Sequence, residues 1–277
     1  MRGSVARRAL AYLLLIVIAI VALAPFVLIL IYSTKSRIEM LQVPPTLEFD
    51  IDQIVENYRD VLVKRDFIDA IMNSIIVTSA TVFVSLAIAT PAAYAFSRMR
   101  FRGRDNWASW ILSFRFMPPI VVAVPILLMM RTVGLVNTFP GLIIPYVAFS
   151  LPLAVWILIG FFDEIPRELD DAAMVDGASR LTVLIHVMLP LVRPGLIVAG
   201  IFAAIFIWNE LLVGSYLIQS QGLKTIPLAA GGLISAQRPI DWNVAATVGV
   251  VTIIPIFIFS LFTQRYIARG ITAGALK

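Results

Sequence analysis

The sequence predicts an all-α membrane protein with six transmembrane helices. Of its 277 residues, 60% are hydrophobic and 14% are charged, whereas about 25% of the residues in a typical soluble domain are charged. The mean hydropathy is +0.93, and several apolar stretches reach the roughly 20 residues that a helix needs to cross a bilayer. The chain has no cysteine, which excludes disulfides and cysteine-ligated metal sites.

Hydropathy predicts where the six helices cross the membrane. The third span is interrupted by Arg115 and by Pro118, Pro119 and Pro125. A proline removes a backbone hydrogen bond, which a neighbouring group must replace in lipid. Proline-broken helices often line transport paths, although many simply bend to pack. The predicted spans are 9–32, 71–96, 107–130, 140–161, 194–217 and 244–262.

The first apolar run follows Arg2, Arg7 and Arg8, as the apolar part of a secretory signal would. Residues 9–32 are too many for that part of a signal, and no convincing small-residue cleavage site follows them. We therefore predict that this segment is an uncleaved first helix.

Lysine and arginine residues in the short loops predict the orientation of the spans. The loop after the second span holds Arg98, Arg100, Arg102 and Arg104, whereas the loop after the third span holds Arg131. The basic residues at both chain ends lie on the same side as the four-arginine loop. We therefore predict that both termini, and the loop between spans four and five, are cytoplasmic.

Three regions are predicted along the chain. Residues 1–69 comprise the first helix and an external segment, residues 70–264 form the transmembrane core with a cytoplasmic loop at 163–193, and residues 265–277 form a cytoplasmic tail. The external segment contains an apolar-periodic stretch at 54–71. This pattern predicts an amphipathic helix on the outer membrane face, with a docking surface for an external partner as the alternative.

The loop at 163–193, called the knob below, contains the segment 167–178, which is polar and rich in small residues and lies between two long apolar stretches. Pro166 can occupy the first turn of a helix, where its missing N–H is not needed. Gly177 can supply the left-handed residue that ends that helix. Small side chains let a partner approach closely, so two helical pieces joined at a glycine can dock into another protein. The alternative is an ordinary connecting loop.

The knob resembles the EAA loop of permease subunits from ABC importers. The matching residues are Ala172-Ala173, Asp176-Gly177-Ala178 and Leu189-Pro190, while the family usually has glutamate where this chain has Asp171. In that family, the loop sits in a groove on the ATPase. The resemblance implies ATPase coupling for Glu168, Asp171, Ala172, Ala173, Asp176, Gly177, Ala178 and Pro190.

The resemblance covers nearly the whole chain. Residues 92–98 with 101–104 look like the end of the second span in carbohydrate-importer permeases of the maltose type, and residues 134–143 resemble that family's outer connection. Trp208-Asn209-Glu210 matches its fifth-span signature. The tail at 264–275 is similar to the end of its smaller permease subunit.

This resemblance implies the type I ABC importer permease fold in a prokaryotic cytoplasmic membrane. It implies a heterodimer with a second permease subunit, two ATPase subunits that carry ATP and Mg, and an extracytoplasmic solute-binding protein. The solute implied is a sugar or a polyol. This chain itself is expected to be no enzyme and to hold no cofactor or metal.

Arg115 and Glu210 are the two charged residues well inside predicted spans. A buried charge in lipid is costly, about 2.5–3.5 kcal/mol for arginine on insertion scales, so such residues face protein or a water-filled cavity. Arg115 either faces a cavity or extends to the cytoplasmic headgroups. Glu210, with Asn209, is a candidate for the translocation path, and a structural hydrogen bond is its alternative role.

Missing motifs exclude other functions. No G-x-x-x-x-G-K-[ST] sequence is present to hold ATP phosphates, and no H-E-x-x-H sequence is present to hold zinc. The single histidine, His186, is expected to serve packing or an interface, and no basic face with interleaved aromatics indicates nucleic acid. Two alternatives remain. Glycerol-3-phosphate would favour more than one buried basic residue, and a secondary transporter would depend on intramembrane carboxylates such as Glu210.

Overall fold

The structure is a computed structural model that describes residues 2–42, 49–233 and 241–274, without the side chains of residues 2–6, 41, 105, 259–260 and 262–274. Every regular element in these ranges is helical, which confirms the predicted all-α class. The helices are α1 (Arg2–Tyr32), α2 (Ile51–Arg59), α3 (Phe67–Arg98), α4 (Arg104–Ser113), α5 (Pro119–Thr132), α6 (Phe139–Asp163), α7 (Glu168–Val175), α8 (Arg180–Leu191), α9 (Arg193–Trp208), α10 (Leu212–Leu217), α11 (Ile226–Gly231) and α12 (Trp242–Gly274).

Three of the described helices are long and apolar enough to cross a membrane. They are Arg7–Tyr32 within α1, α3 and α6, and they coincide with predicted spans one, two and four. Two further pairs, Asn106–Phe116 with α5 and α8 with α9, are bent by 93° and 78°, so the described part of the chain has up to five spans if each pair is one. The apolar helix Trp242–Ile258 is shorter, and the number six stays a prediction.

The chain divides into two compact units, Met1–Ile68 with Gly232–Phe257, and Asp69–Gly231 with Ile258–Lys277. The side chain of Asn57, which is buried, joins the helices of the first unit. Its Nδ2 donates to the carbonyl oxygens of Ser33 and Lys35, both at 2.9 Å. Its Oδ1 accepts from Asn243 on α12 at 3.2 Å. One amide thus connects the end of α1, α2 and α12.

The prediction of one amphipathic helix over 54–71 is wrong in its bounds. The helical backbone that begins with α2 continues to Lys64, and Asp66 then adopts a left-handed conformation with φ of 57°. Arg65 closes this turn through a 2.8 Å ion pair with Asp60, and α3 begins at Phe67. The apolar period was continuous across this break because Phe67 is buried as well.

Helix α6 is the central helix of the second unit. Half of the residues in its most apolar 18-residue stretch are buried, compared with 33% in the corresponding stretch of α3. Near its C-terminal end, Phe162 packs with buried side chains of α3 and α8. Near its N-terminal end, Leu142 and Tyr146 pack with Ile207 of α9 and Leu217 of α10. The two ends of α6 therefore pack in two separate apolar clusters.

The prediction of one continuous fifth span over 194–217 is wrong. Helix α9 ends at Trp208 and α10 begins at Leu212. The Glu210 carboxylate lies between them, where its Oε1 accepts from the Val213 N–H at 2.8 Å and its Oε2 from the Gly214 N–H at 3.1 Å. The Tyr146 hydroxyl donates to Oε2 at 2.6 Å. The carboxylate satisfies the free N–H groups of the new helix, which stabilises the break.

The interruption predicted in the third span is present. Helix α4 passes into a single turn at Phe114–Phe116, and Pro118 is extended with ψ of 129° before α5 begins at Pro119. Pro119 occupies the first helical position, where no N–H is required. The two prolines thus separate the helices three and four residues after Arg115.

We predict that Gly141→Ala destabilises the protein while Gly160→Ala, in the same helix, does not. A Cβ at Gly141 would overlap the carbonyl oxygen of Leu135, whereas nothing lies within 4 Å of a Cβ at Gly160. Such overpacking costs about 1–3 kcal/mol, and an alanine in an open helical position gains up to about 1 kcal/mol. Thermal midpoints of the protein purified in detergent provide the measurement. Equal midpoints for the two variants would contradict this account of Gly141.

We predict that Glu210→Gln lowers the thermal midpoint more than Tyr146→Phe does. An amide offers one oxygen in place of two and turns a donor toward the Val213 and Gly214 N–H groups. A buried group left unsatisfied costs about 1–3 kcal/mol. Asn209→Ala is the matched control, because the Asn209 side chain is exposed and bonds the Ile205 carbonyl within its own helix. A wild-type midpoint for Glu210→Gln would show that the carboxylate does not hold the break.

Candidate functional site

The knob consists of α7, a turn at Gly177, and α8. Gly177 is left-handed with φ of 87°, and its N–H donates to the Met174 carbonyl at 3.1 Å. The Ala178 N–H donates to the Ala173 carbonyl at 3.0 Å, so the turn closes the last orphan carbonyls of α7. Nothing lies within 4 Å of a Cβ at Gly177. The backbone conformation, and not lack of space, favours glycine there.

Helix α8 contains a π-helical stretch, Val183–Met188, before Pro190 in its last turn. Ser179 caps its N-terminus, with Oγ accepting from the Thr182 N–H at 3.2 Å. The chain then bends by 78° into α9. The two helical pieces predicted from the sequence are therefore present, and the second of them includes Pro190 and ends at Leu191.

The predicted coupling residues divide into an exposed set and a half-buried pair. The half-buried pair, Ala173 and Ala178, packs against the apolar cluster around Phe162. The exposed set is Glu168, Asp171, Ala172, Asp176, Gly177 and Pro190. The small residues thus let the knob lie close to the core, while the acidic side chains remain open to a partner.

Apolar side chains on the knob are also exposed, and the sequence analysis did not select them. Val175 is 87% exposed and Leu181 is 64% exposed, with one on each side of the Gly177 turn. Leu169 and Ile185 are partly exposed on the same two helices. A signal was available for Val175, because it is a large apolar residue in the polar segment 167–178. Exposed apolar side chains that lie together mark contact sites for a protein or a membrane.

A buried ion pair anchors the knob to helix α3. Arg98 Nε lies 2.8 Å from Asp170 Oδ2, and the two side chains are 5% and 6% exposed. The contact is an ion pair and not a well-aligned hydrogen bond. The Tyr94 hydroxyl donates to the other carboxylate oxygen at 2.9 Å. Removing one partner of such a pair leaves an uncompensated buried charge, at a cost of about 3–5 kcal/mol.

The same turn of α3 holds the chain that leads into the knob. Arg98 Nη2 donates to the Ile165 carbonyl at 2.7 Å. Arg167 Nη2 donates to the Ser97 carbonyl at 3.1 Å, and Ser97 Oγ donates to Asp163. Sequence reasoning used Arg98 as an orientation charge and favoured Asp171 over its neighbour. The helical spacing of Tyr94, Ser97 and Arg98, at i, i+3 and i+4, was the available signal.

Arg115 lies in the turn between α4 and α5. Its side chain is exposed, and its guanidinium lies over the Phe206 ring of α9 with Cζ 4.5 Å from the centroid. Phe149 and Ser150 of α6 line the same small cleft. A cation over an aromatic face is stabilised by the ring quadrupole. The structure therefore brings Arg115 next to α6 and α9.

The described lining of the Arg115 cleft includes neither Asn209 nor Glu210. Asn209 is exposed, whereas Glu210 is buried and its carboxylate is engaged by the cap of α10 described above. His186 is exposed, with Nδ1 3.3 Å from the Thr182 carbonyl in its own helix. Among the side chains that the structure describes, no group of three potential metal ligands occurs.

Comparison with known proteins finds a matching family and similar permease proteins. The family described as "Binding-protein-dependent transport system inner membrane component" matches residues 85–273. The trehalose/maltose transport system permease protein MalG of Thermococcus litoralis is 34% identical over 100% of this chain and 99% of its own length. The trehalose transport system permease protein SugB of Mycobacterium tuberculosis is 36% identical over 85% and 84%.

A similar fold occurs in a solved structure of a bacterial ABC transporter. A chain of a bacterial ABC transporter involved in the import of the acidic polysaccharide alginate aligns with a TM-score of 0.78 and 26% identity. The alignment covers 96% of this chain and 98% of that one. The family match spans the knob, the C-terminal part of α3 from residue 85, and the helices that follow. The chain belongs to the family of binding-protein-dependent transport system inner membrane components.

Proposed function

We propose that this chain is the permease subunit of an ATP-driven ABC importer that moves a carbohydrate, either a sugar or a polyol, across the cytoplasmic membrane. The observation that carries this proposal is the similarity to a trehalose/maltose permease, which extends over 100% of this chain and 99% of that relative. The similarity to a chain of the alginate importer supports the same solute class.

The proposed topology has six spans with both termini in the cytoplasm. The spans are α1, α3, the bent pair α4 with α5, α6, α9 and α12. An even number of spans is required if the basic residues at both ends and the arginine-rich loop at 98–104 share one side. The proposed regions remain 1–69, 70–264 and 265–277. In the last of these, side chains and residues 275–277 lie outside the described part of the chain.

In this topology the knob faces the cytoplasm, where it docks on an ATPase subunit. Its exposed Glu168, Asp171 and Asp176 suit a basic or hydrogen-bond-donating groove, and Val175 and Leu181 supply apolar contact area. ATP and Mg belong to two ATPase subunits, a second permease completes the pathway, and an extracytoplasmic binding protein delivers the solute. The name of the family supports the last of these partners.

The proposed solute path passes the break in the third span. Arg115 lies there beside α6 and α9, and its guanidinium offers five donors that suit hydroxyl-rich solutes. Asn209 and Glu210 are proposed at a second break, where Asn209 is the exposed member of the two. Glu210 contributes there through the shape of the backbone, since three hydrogen bonds already occupy its carboxylate.

We predict that the chain hydrolyses no ATP alone and supports sugar-stimulated hydrolysis in the full complex. The chain is co-expressed with its ATPase and partner permease, reconstituted in vesicles, and supplied with binding protein and a panel of trehalose, maltose and polyols. Loaded binding protein should raise ATPase activity and drive ATP-dependent uptake. Glycerol-3-phosphate is the comparison solute. Robust ATP hydrolysis by the lone polypeptide, or uptake without ATP, would contradict the proposal.

We predict that Ala173→Arg and Gly177→Leu weaken coupling to the ATPase without affecting membrane insertion. A long charged side chain at Ala173 separates the knob from its core, and a branched one at Gly177 strains the left-handed turn. Uptake should fall by about fivefold or more, within the usual range of couplings between sites, at normal membrane levels. Gly222→Leu is the control, because that glycine also has open space around it and lies far from the knob. Wild-type uptake in both knob variants would show that another element docks the ATPase.

A further inference from the structure

We propose that Arg98, Asp170 and Tyr94 form a clamp through which helix α3 sets the orientation of the knob on the ATPase. Arg98 and Asp170 are then positioning residues, which touch neither nucleotide nor solute. This inference rests on the proposed function, in which the knob is the docking element. It adds that α3 is the helix to which the knob responds.

Chain connectivity alone would attach the knob to other helices. Helix α6 leads into it at Asp163, and α8 leads directly into α9 at Val192. The clamp instead joins α7 to a turn of α3 that lies 76 residues earlier for the Tyr94–Asp170 bond. The covalent connections, four residues at one end and a 78° bend at the other, do not themselves join α7 to α3. The buried contact joins α7 to this third helix, in addition to the apolar packing that already holds the knob.

The guanidinium of Arg98 holds two separate points of the incoming chain. Its Nε contacts the Asp170 carboxylate within α7, and its Nη2 donates to the Ile165 carbonyl before α7 begins. Two points separated along the chain determine a direction, whereas one point would act as a pivot. Lysine carries the same charge but lacks the planar fork that reaches both groups. The geometry of the clamp therefore requires arginine beyond its charge.

Asp170 differs from the neighbouring acidic residues of α7 because its carboxylate is buried and paired. Glu168 and Asp171 belong to the same first turn of α7 and are exposed, but Asp170 is 4% exposed. Its two oxygens are used separately, one by Arg98 and one by the Tyr94 hydroxyl. An asparagine at this position keeps an oxygen for Tyr94 and loses the charge that Arg98 faces. Asp170→Asn thus separates the ion pair from the rest of the contact.

The test uses the complete complex in vesicles with Arg98→Lys, Asp170→Asn and Tyr94→Phe. The control is Arg100→Lys, an exposed arginine just beyond the end of α3. Three quantities are measured: recovery of the assembled complex, basal ATPase activity, and its stimulation by loaded binding protein. We expect Arg98→Lys and Asp170→Asn to assemble and to hydrolyse ATP, with stimulation and uptake reduced about fivefold or more. Tyr94→Phe should have a smaller effect, and Arg100→Lys none.

A charge exchange separates positioning from mere stability. Arg98→Glu combined with Asp170→Arg should regain part of the stimulation that each single change removes, because the buried pair is restored in reverse. Wild-type stimulation in both Arg98→Lys and Asp170→Asn would overturn the clamp. Loss of assembled complex in step with uptake, without rescue by the exchange, would also overturn it and leave a structural contact only.

The outcome for the clamp is distinguishable from the outcome for the docking site. If Ala173→Arg and Gly177→Leu transport normally in the same vesicles, the knob is not the docking element and the proposed function fails at that point. If those two variants lose uptake while the clamp variants keep it, the result supports the knob as the docking element and contradicts the proposed clamp. Loss in both sets, with basal ATPase retained, supports both proposals.

Discussion

The fold of the second unit depends on a buried ion pair between Arg98, at the end of α3, and Asp170 in the knob. An arginine and an aspartate that are almost fully buried cannot be separated without leaving a charge in a low-dielectric site. The pair therefore keeps α3, the end of α6 and the knob together whenever the unit is folded. Other features of the knob depend on this contact. The half-buried alanines lie close to the core, and the acidic and apolar side chains of α7 and α8 stay exposed.

A similar constraint operates at the helix breaks. A helix that ends in an apolar environment leaves N–H and C=O groups that must be satisfied by protein. Glu210 meets this requirement for α10, and the Thr138 hydroxyl, which accepts from the Gly141 N–H at 3.2 Å, meets it for α6. In the first unit, the Asn57 amide does the same for the carbonyls at the end of α1. Polar residues inside an apolar chain thus mark the places where the backbone changes direction.

Sequence reasoning found the elements that depend on composition and local chemistry. Long apolar runs gave α1, α3 and α6, prolines gave the break beside Arg115, and Gly177 gave the turn of the knob. It did not find features that depend on a distant partner. The role of Asp170 could not be told from that of Asp171, because its partners Arg98 and Tyr94 lie 72 and 76 positions away in the chain. The end of α9 at Trp208 was hidden for the same reason, since the apolar pattern continues to Leu217 while the Glu210 cap needs Tyr146 of another helix.

Helix α1 differs from the other long helices in how little of it this chain covers. Its most apolar stretch is 6% buried within this chain, compared with 50% for α6. Burial begins at Ile31 and continues just beyond the helix with Ser33, Thr34 and Lys35. Contacts within this chain therefore place little constraint on which apolar residue stands at each position of 9–28. That constraint falls to whatever covers the helix in the membrane, either lipid or the proposed second permease subunit, whereas the short polar segment that follows is fixed by its hydrogen bonds to Asn57.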